Sequence, residues 1–406
     1  MRVLSILVIA ACGSPPPPPV ATPAPSVPTA PLVAPSVPPA VAAVPPPVAH
    51  PSLARTDEIV AAKSTACIVA ANRKGRWLHR IVADAPPVGV LRIASFADAT
   101  VDAGLRDDGH RWAAWSDAAS ELAELGDIDG ARLAYKRAEE LRSAKRLDRK
   151  PPGNRVRLLI GEPVDEAVPF EIQDVPALVH AGKRAKAQEV LAAFEAKAKP
   201  DEIRPYQIVP AYVALDLTSK LPALAAQRVS DSLDIHQLWA REAMRQRKGV
   251  TEALAALSRA RAANPSHDKF VVSDVVAPAN ALGFSAELAP LRRELRITAE
   301  NPGPGASLVA STLIELHYAA LVAGDREEVA RLAPILAKME PRIADSVPAL
   351  AAIWSGDLDA ALAAVVNYPH EAARPNLYAL LWARHVDAGF APGFEERLAA
   401  AACGAK

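Results

Sequence analysis

Histidine and cysteine are the residue types in this 406-residue chain whose spacing could build a metal or redox site. Of nine histidines, none forms a His-x-x-x-His pair on one helix face, and no Cys-x-x-Cys accompanies them. Zinc needs such spacing, so a metal site is not expected. His317 follows Leu316 inside an apolar helical pattern and reads as a structural histidine with its hydrogen bonds satisfied. No Gly-x-Ser-x-Gly turn presents a nucleophile, and no glycine loop cradles a phosphate. The acid pairs Glu121 with Glu124 and Glu327 with Glu328 fall on helices beside turns, where solvated faces are the expected role. Catalytic residues, metal and cofactor are all expected to be none, and the chain is read as a non-enzyme.

The three cysteines belong to different settings. Met1 and Arg2 form a small positive region before Val3-Leu4-Ser5-Ile6-Leu7-Val8-Ile9-Ala10, an apolar run too short to cross a bilayer, which takes about twenty residues. The run ends Ile9-Ala10-Ala11-Cys12-Gly13. This segment resembles the lipobox of bacterial lipoproteins: a branched apolar residue, two small residues and a lipid-accepting cysteine. The resemblance implies a signal peptide over 1–11 and a lipid anchor on Cys12. Two or three acyl chains hold a protein on a membrane where one is marginal. Gly13 in place of an aspartate implies the outer membrane of the bacterial cell envelope.

Residues 12–54 read as a tether. Most of the stretch from Pro15 to Pro51 is Pro, Ala, Val, Ser and Thr, and no charged residue occurs between Arg2 and Arg55. Proline removes amide donors and turns its neighbours away from helix, so an extended polyproline II spacer is predicted. Fully extended, at ~3.1 Å per residue, it reaches on the order of 100 Å.

From Arg55 onward apolar residues fall at helical spacing, alanine is abundant and alternating stretches are few, which predicts an all-α fold. Glycine turns then align. Gly126-Asp127 is followed five residues after the glycine by Ala131, Gly182-Lys183 by Ala187, Gly324-Asp325 by Val329, and Gly356-Asp357 by Ala361, with weaker copies at Gly283 and Gly389. The position recurs at 253, 288, 329, 361 and 394, near the roughly 34-residue period of helix-hairpin arrays. Trp115, Ala119, Leu122, Gly126, Ala131, Tyr135 and Ala138 carry large, small and aromatic residues in an order that resembles a tetratricopeptide repeat. The resemblance implies an α-solenoid of antiparallel hairpins over 106–406, with 55–105 as a helical N-terminal cap. The step from 131 to 187 is too long for one repeat, Arg149-Lys150-Pro151-Pro152-Gly153-Asn154 reads as an interrupting loop, and a degenerate hairpin around Leu221 would restore the period.

Lysine plus arginine equals aspartate plus glutamate at 46 each, so no overall field favours nucleic acid. The cations from Lys136 to Lys150 read as a solvated helix end. Cys67 and Cys403 form an even pair that an oxidising compartment would allow to bridge. An open solenoid separates its ends by tens of ångströms, whereas a bridge needs Cα atoms within about 7 Å. The reading therefore favours a buried free thiol at Cys67, and a bridge would mean that the array curls closed. Tetratricopeptide geometry implies a concave surface carrying Ser116, Ser120, Ile314, Tyr318, Leu350 and Ile353; cover by neighbouring helices is slightly favoured, and if they are open they form a possible groove for an apolar or extended peptide. The expected role is a lipid-anchored, non-enzymatic interaction scaffold for protein or peptide partners in the envelope. A glycan- or peptidoglycan-binding lipoprotein is the rival, with Trp77, Trp112, Trp239, Trp354 and Trp382 as candidate platforms.

Overall fold

The computed structural model describes residues 55–72, 88–105, 108–124, 126–146, 153–165, 167–198, 203–228, 231–263, 286–300, 309–339 and 341–404, together with 275, 276, 279 and 284. Cys12, the proline-rich tether, Trp77 and residues 147–150 lie outside them. The described residues form an all-α fold, with no strand among them.

Three helices lead: α1 (Thr56–Ala61), α2 (Lys63–Ala71) and α3 (Val88–Leu105). A hairpin of α4 (Asp108–Glu124) and α5 (Ile128–Ala144) follows, then the short α6 (Asn154–Ile160). Next come α7 (Val175–His180) with α8 (Arg184–Lys197), α9 (Pro205–Ala214) with α10 (Leu221–Gln227), and α11 (Ser232–Arg245) with α12 (Val250–Ala263). After α13 (Ala289–Glu300), the chain continues with α14 (Val309–Ala323) and α15 (Arg326–Leu336), then α16 (Pro341–Trp354) and α17 (Leu358–Val366). It ends with α18 (Arg374–Asp387) and α19 (Pro392–Gly404).

The hairpin turns share one chemistry. At the end of α4, Gly126 adopts φ 82°, which an L side chain rarely does. This lets Asp127 N donate to Leu122 O at 2.9 Å and Gly126 N to Ala123 O at 3.2 Å, satisfying carbonyls that the helix end would strand. Asp127 then caps α5 by accepting from Gly130 N at 3.1 Å. Equivalent closing bonds run from Lys183 N to Leu178 O, Asp325 N to Ala320 O and Phe390 N to His385 O. In the degenerate hairpin around Leu221, Asp216 takes the left-handed place at φ 64° and Leu217 N donates to Tyr212 O at 2.8 Å. Aspartate tolerates that conformation better than most side chains, which explains a turn without glycine.

Helices one period apart are tied together. Arg184 donates to Leu215 O, 31 positions on, and pairs with Asp216, 32 positions on. Asp216 also pairs with Lys248, and Arg296 with Glu328, again at a separation of 32. Ser258 donates to Glu294, 36 positions on, at 2.6 Å. Contacts that recur near this separation are what stacked copies of one hairpin produce. The small position five residues past the left-handed residue, or just past a longer turn, is buried at Ala131, Ala187, Leu221, Ala253 and Ala361. Val329, at the same register, is half-buried.

The two ends of the array meet, contrary to the open arrangement expected from the sequence. One apolar cluster runs from Leu158 through α7–α13 to Leu336 of α15, and a second joins α3 to α4–α6. A third unites Ile59, Ile68 and Val69 of α1–α2 with α14 and α16–α19. Leu159 packs on the first two clusters, Val60 on the last two, and α14 contributes to the first and third. The described hairpins thus form a closed circuit. Its closing piece is α2, which lies against α18 and α19, with α1 packed on α2 and α3; α3 joins the same cluster and touches α18 before the chain continues into α4.

Candidate functional site at the closing seam

The seam between α1–α2 and α18–α19 concentrates the least ordinary chemistry of the fold. Cys67 and Cys403, 336 positions apart, are joined by a disulfide with their Cα atoms 5.1 Å apart. The free thiol read from the sequence is corrected here, because the assumption of separated ends fails once the array closes. Both cysteines are half-buried.

Four further ties surround the bridge. Trp382, fully buried in α18, donates from Nε1 to Thr65 Oγ1 at 2.9 Å, and Thr65 Oγ1 donates to Ile59 O at 2.7 Å. A buried hydroxyl is thereby satisfied on both sides. Ser64 N donates to Glu395 Oε1 at 2.8 Å. Asn72 Nδ2 donates to Pro375 O at 3.1 Å and to Ile68 O at 2.9 Å. Arg55 Nη1 donates to Phe390 O at 2.9 Å and Gly389 O at 3.3 Å, with its guanidinium 5.4 Å above the Phe390 ring.

Beneath Arg55 lie two features that cost stability. Phe390 has φ 54°, an uncommon conformation for a bulky residue. His385 is 0% exposed, sits 4.9 Å from the Phe390 ring and 4.8 Å from Phe394, and neither ring nitrogen has a hydrogen-bond partner. Burial pushes its pKa down to about 4; Glu395 opposes this shift and Arg55 reinforces it. A neutral imidazole is the form this environment holds.

The residues singled out for repeat packing lie between α4 and α5: Trp115, Ala119, Leu122, Ala131 and Ala138 are buried, Tyr135 is half-buried, and Gly126 forms the turn. The candidate groove residues lie mainly between helices. Tyr318, Leu350 and Ile353 are buried, with Tyr318 edge-on to Trp354 at 5.2 Å. Ile314 is half-buried against an apolar cluster. Ser116 is buried, with its hydroxyl unpartnered, and its carbonyl accepts from Ser120 Oγ at 3.1 Å. These side chains fill the space between neighbouring hairpins, so together they present no open apolar groove. His317 is buried as expected, but its Nε2 has no partner, where a satisfied histidine was predicted. Burial lowers its pKa.

Trp239 and Trp382 are buried, which removes two of the aromatic platforms proposed for glycan, while Trp112 and Trp354 are half-buried. In the basic segment, Lys136 pairs with Glu140, Arg142 with Glu139, and Lys145 with Asp108. Arg137 stacks on Trp115 and Phe96 and pairs with Asp57 of α1. Glu328 receives Arg331 and Arg296, a structural use of one member of an acid pair. No group of three or more metal-ligating side chains occurs among the described residues.

Sequence reasoning passed over Gly130. A Cβ there would meet Asp127 Oδ2 at 2.5 Å and Arg92 Nε at 2.7 Å, because the Arg92–Asp127 ion pair lies against this first turn of α5. A glycine inside a helix, three residues after a capping aspartate, was the available signal. Comparisons of the chain with family models, curated proteins and solved structures return no match.

Proposed function

We propose that this chain is an exported bacterial lipoprotein, anchored in the cell envelope through Cys12, whose tetratricopeptide-like array acts as a non-enzymatic scaffold for protein partners. The observation that carries the proposal is the Cys67–Cys403 disulfide. Disulfides persist in oxidising compartments and are rare in the reducing cytosol, which supports the export indicated by the segment before Cys12. The recurring ties near 32 positions support the repeat reading. Because Tyr318, Leu350 and Ile353 are buried, partner contact is assigned to exposed faces of the hairpins instead of that candidate groove.

Two experiments test the proposal. Fractionation of cells expressing the full chain should place it with membranes, and Cys12→Ser should release it; unchanged membrane association would refute the anchor. Affinity capture from detergent-solubilised envelopes should then recover the same protein partners reproducibly. Recovery of glycan alone would remove the scaffold reading.

A further inference from the structure

We propose that the Cys67–Cys403 bond is a thiol-exchange site through which an external dithiol opens the circuit at the seam between α1–α2 and α18–α19. The inference concerns closure of the fold and is independent of the anchor on Cys12.

Three observations carry it. The first is access: Cys67 and Cys403 are half-buried, while the neighbouring Ile68, Val69 and Ala402 are buried, so the bridge lies at the edge of the seam where a small thiol reaches it. The second is position. Elsewhere around the circuit, contacting hairpins follow one another along the chain, whereas the two sides of this seam are 336 positions apart. A crosslink between segments so far apart in the chain keeps them together when local packing at the seam opens. The third is the composition of the seam. Besides the bridge, its two sides are joined by hydrogen bonds of Arg55, Ser64, Asn72 and Trp382 and by apolar contact, all between segments that no short stretch of chain holds together. With the bond intact the two segments stay in register; without it, those hydrogen bonds and the apolar contact must hold them alone.

The chemistry balances without a cofactor. One thiolate of the dithiol attacks a sulfur of the bridge, the Cys67–Cys403 bond breaks, and the departing sulfur takes a proton. The second thiol of the reductant displaces the remaining protein sulfur from the mixed disulfide. Two electrons and two protons reach the protein, and the dithiol leaves as its own disulfide.

Dithiothreitol serves as the probe on the folded full chain, with amide hydrogen exchange as the readout. Reduction should accelerate exchange across residues 56–71 and 374–404 by roughly 100-fold or more, leave 205–263 unchanged, and be reversed by reoxidation. A Cys67→Ser, Cys403→Ser double variant should reproduce the reduced pattern without reductant. If that variant fails to fold, reversible reduction of the wild-type chain still decides the matter. Full protection of the seam after reduction would show that closure does not depend on the bond, and equal loss of protection everywhere would show a general crosslink; either result overturns the proposal. So does a bridge that reacts with dithiothreitol only after the chain is denatured.

Discussion

The middle of the array and its seam both pack helix against helix, yet they secure their neighbours by different means. Around α8–α12, Arg184, Asp216 and Lys248 form a ladder along the turns, and Glu195 accepts from Tyr212 and Lys220. Asp216 and its two partners are about half exposed, and exposed ion pairs contribute little, so this region rests on buried residues such as Val209, Trp239 and Leu254. At the seam the polar groups are less exposed, the hydrogen bonds join segments 303 to 335 positions apart, and a covalent bond joins the two sides. Where the chain already supplies proximity, weak ties suffice. Where it does not, the fold uses directed bonds.

Substitution of Trp382 puts the strongest pressure on that contrast. Trp382→Ala should cost about 3–5 kcal/mol in urea denaturation, by leaving a cavity and freeing Thr65 Oγ1. Trp382→Phe, which removes only the hydrogen bond and part of the ring, should cost about 1–2 kcal/mol. A negligible cost for Trp382→Phe would mean that the bond to Thr65 adds nothing and the seam is held by apolar contact.

Acid should weaken the seam next most strongly. His385 titrates near 4 in the folded chain, below its ordinary value of about 6.5, so unfolded chains bind a proton that folded chains refuse between those values. Its contribution is therefore complete above pH 6.5 and declines by up to about 3 kcal/mol as the pH falls to 4. The difference in urea midpoint between wild type and His385→Leu should change across this window, and a constant difference would remove His385 as the acid-sensitive element.

Arg55→Ala should have a smaller effect, through the lost bonds to the Phe390 and Gly389 carbonyls, with amide exchange rising first at residues 389–391. The smallest effect belongs to the middle of the array. Asp216→Asn keeps a residue that tolerates positive φ while removing the ladder charge, and it should shift stability by less than about 0.5 kcal/mol, screened further by salt. A larger effect there would erase the distinction between the two regions.

The helices and most hairpin turns were legible because each depends on a few neighbouring residues: a glycine that allows positive φ, an aspartate that caps, a small residue five places on. Even the turn at Asp216 could be placed by period, although its residue departs from the glycine pattern. Closure was not legible. It depends on the small rotation between successive hairpins summed over the whole array, and no local motif records that sum. For the same reason Cys67 and Cys403 looked too far apart to bridge. A single hairpin leaves Tyr318 and Leu350 open, so the sequence allows a groove there while slightly favouring cover by neighbouring helices; in the structure the next helix, with Trp354 against Tyr318, buries them. His385 could be read as helical, but its lack of partners is a property of the seam.

The meeting of first and last helices also orders events during synthesis. A polypeptide emerges from its N-terminus, so α1 and α2 are made before any hairpin they accompany and reach their place only after α19 exists. The intermediate hairpins can form in turn as they appear, since their contacts lie about one period away. The bridge between Cys67 and Cys403 can join native partners only at the end of that sequence, which makes it a chemical record that the whole chain has arrived and folded.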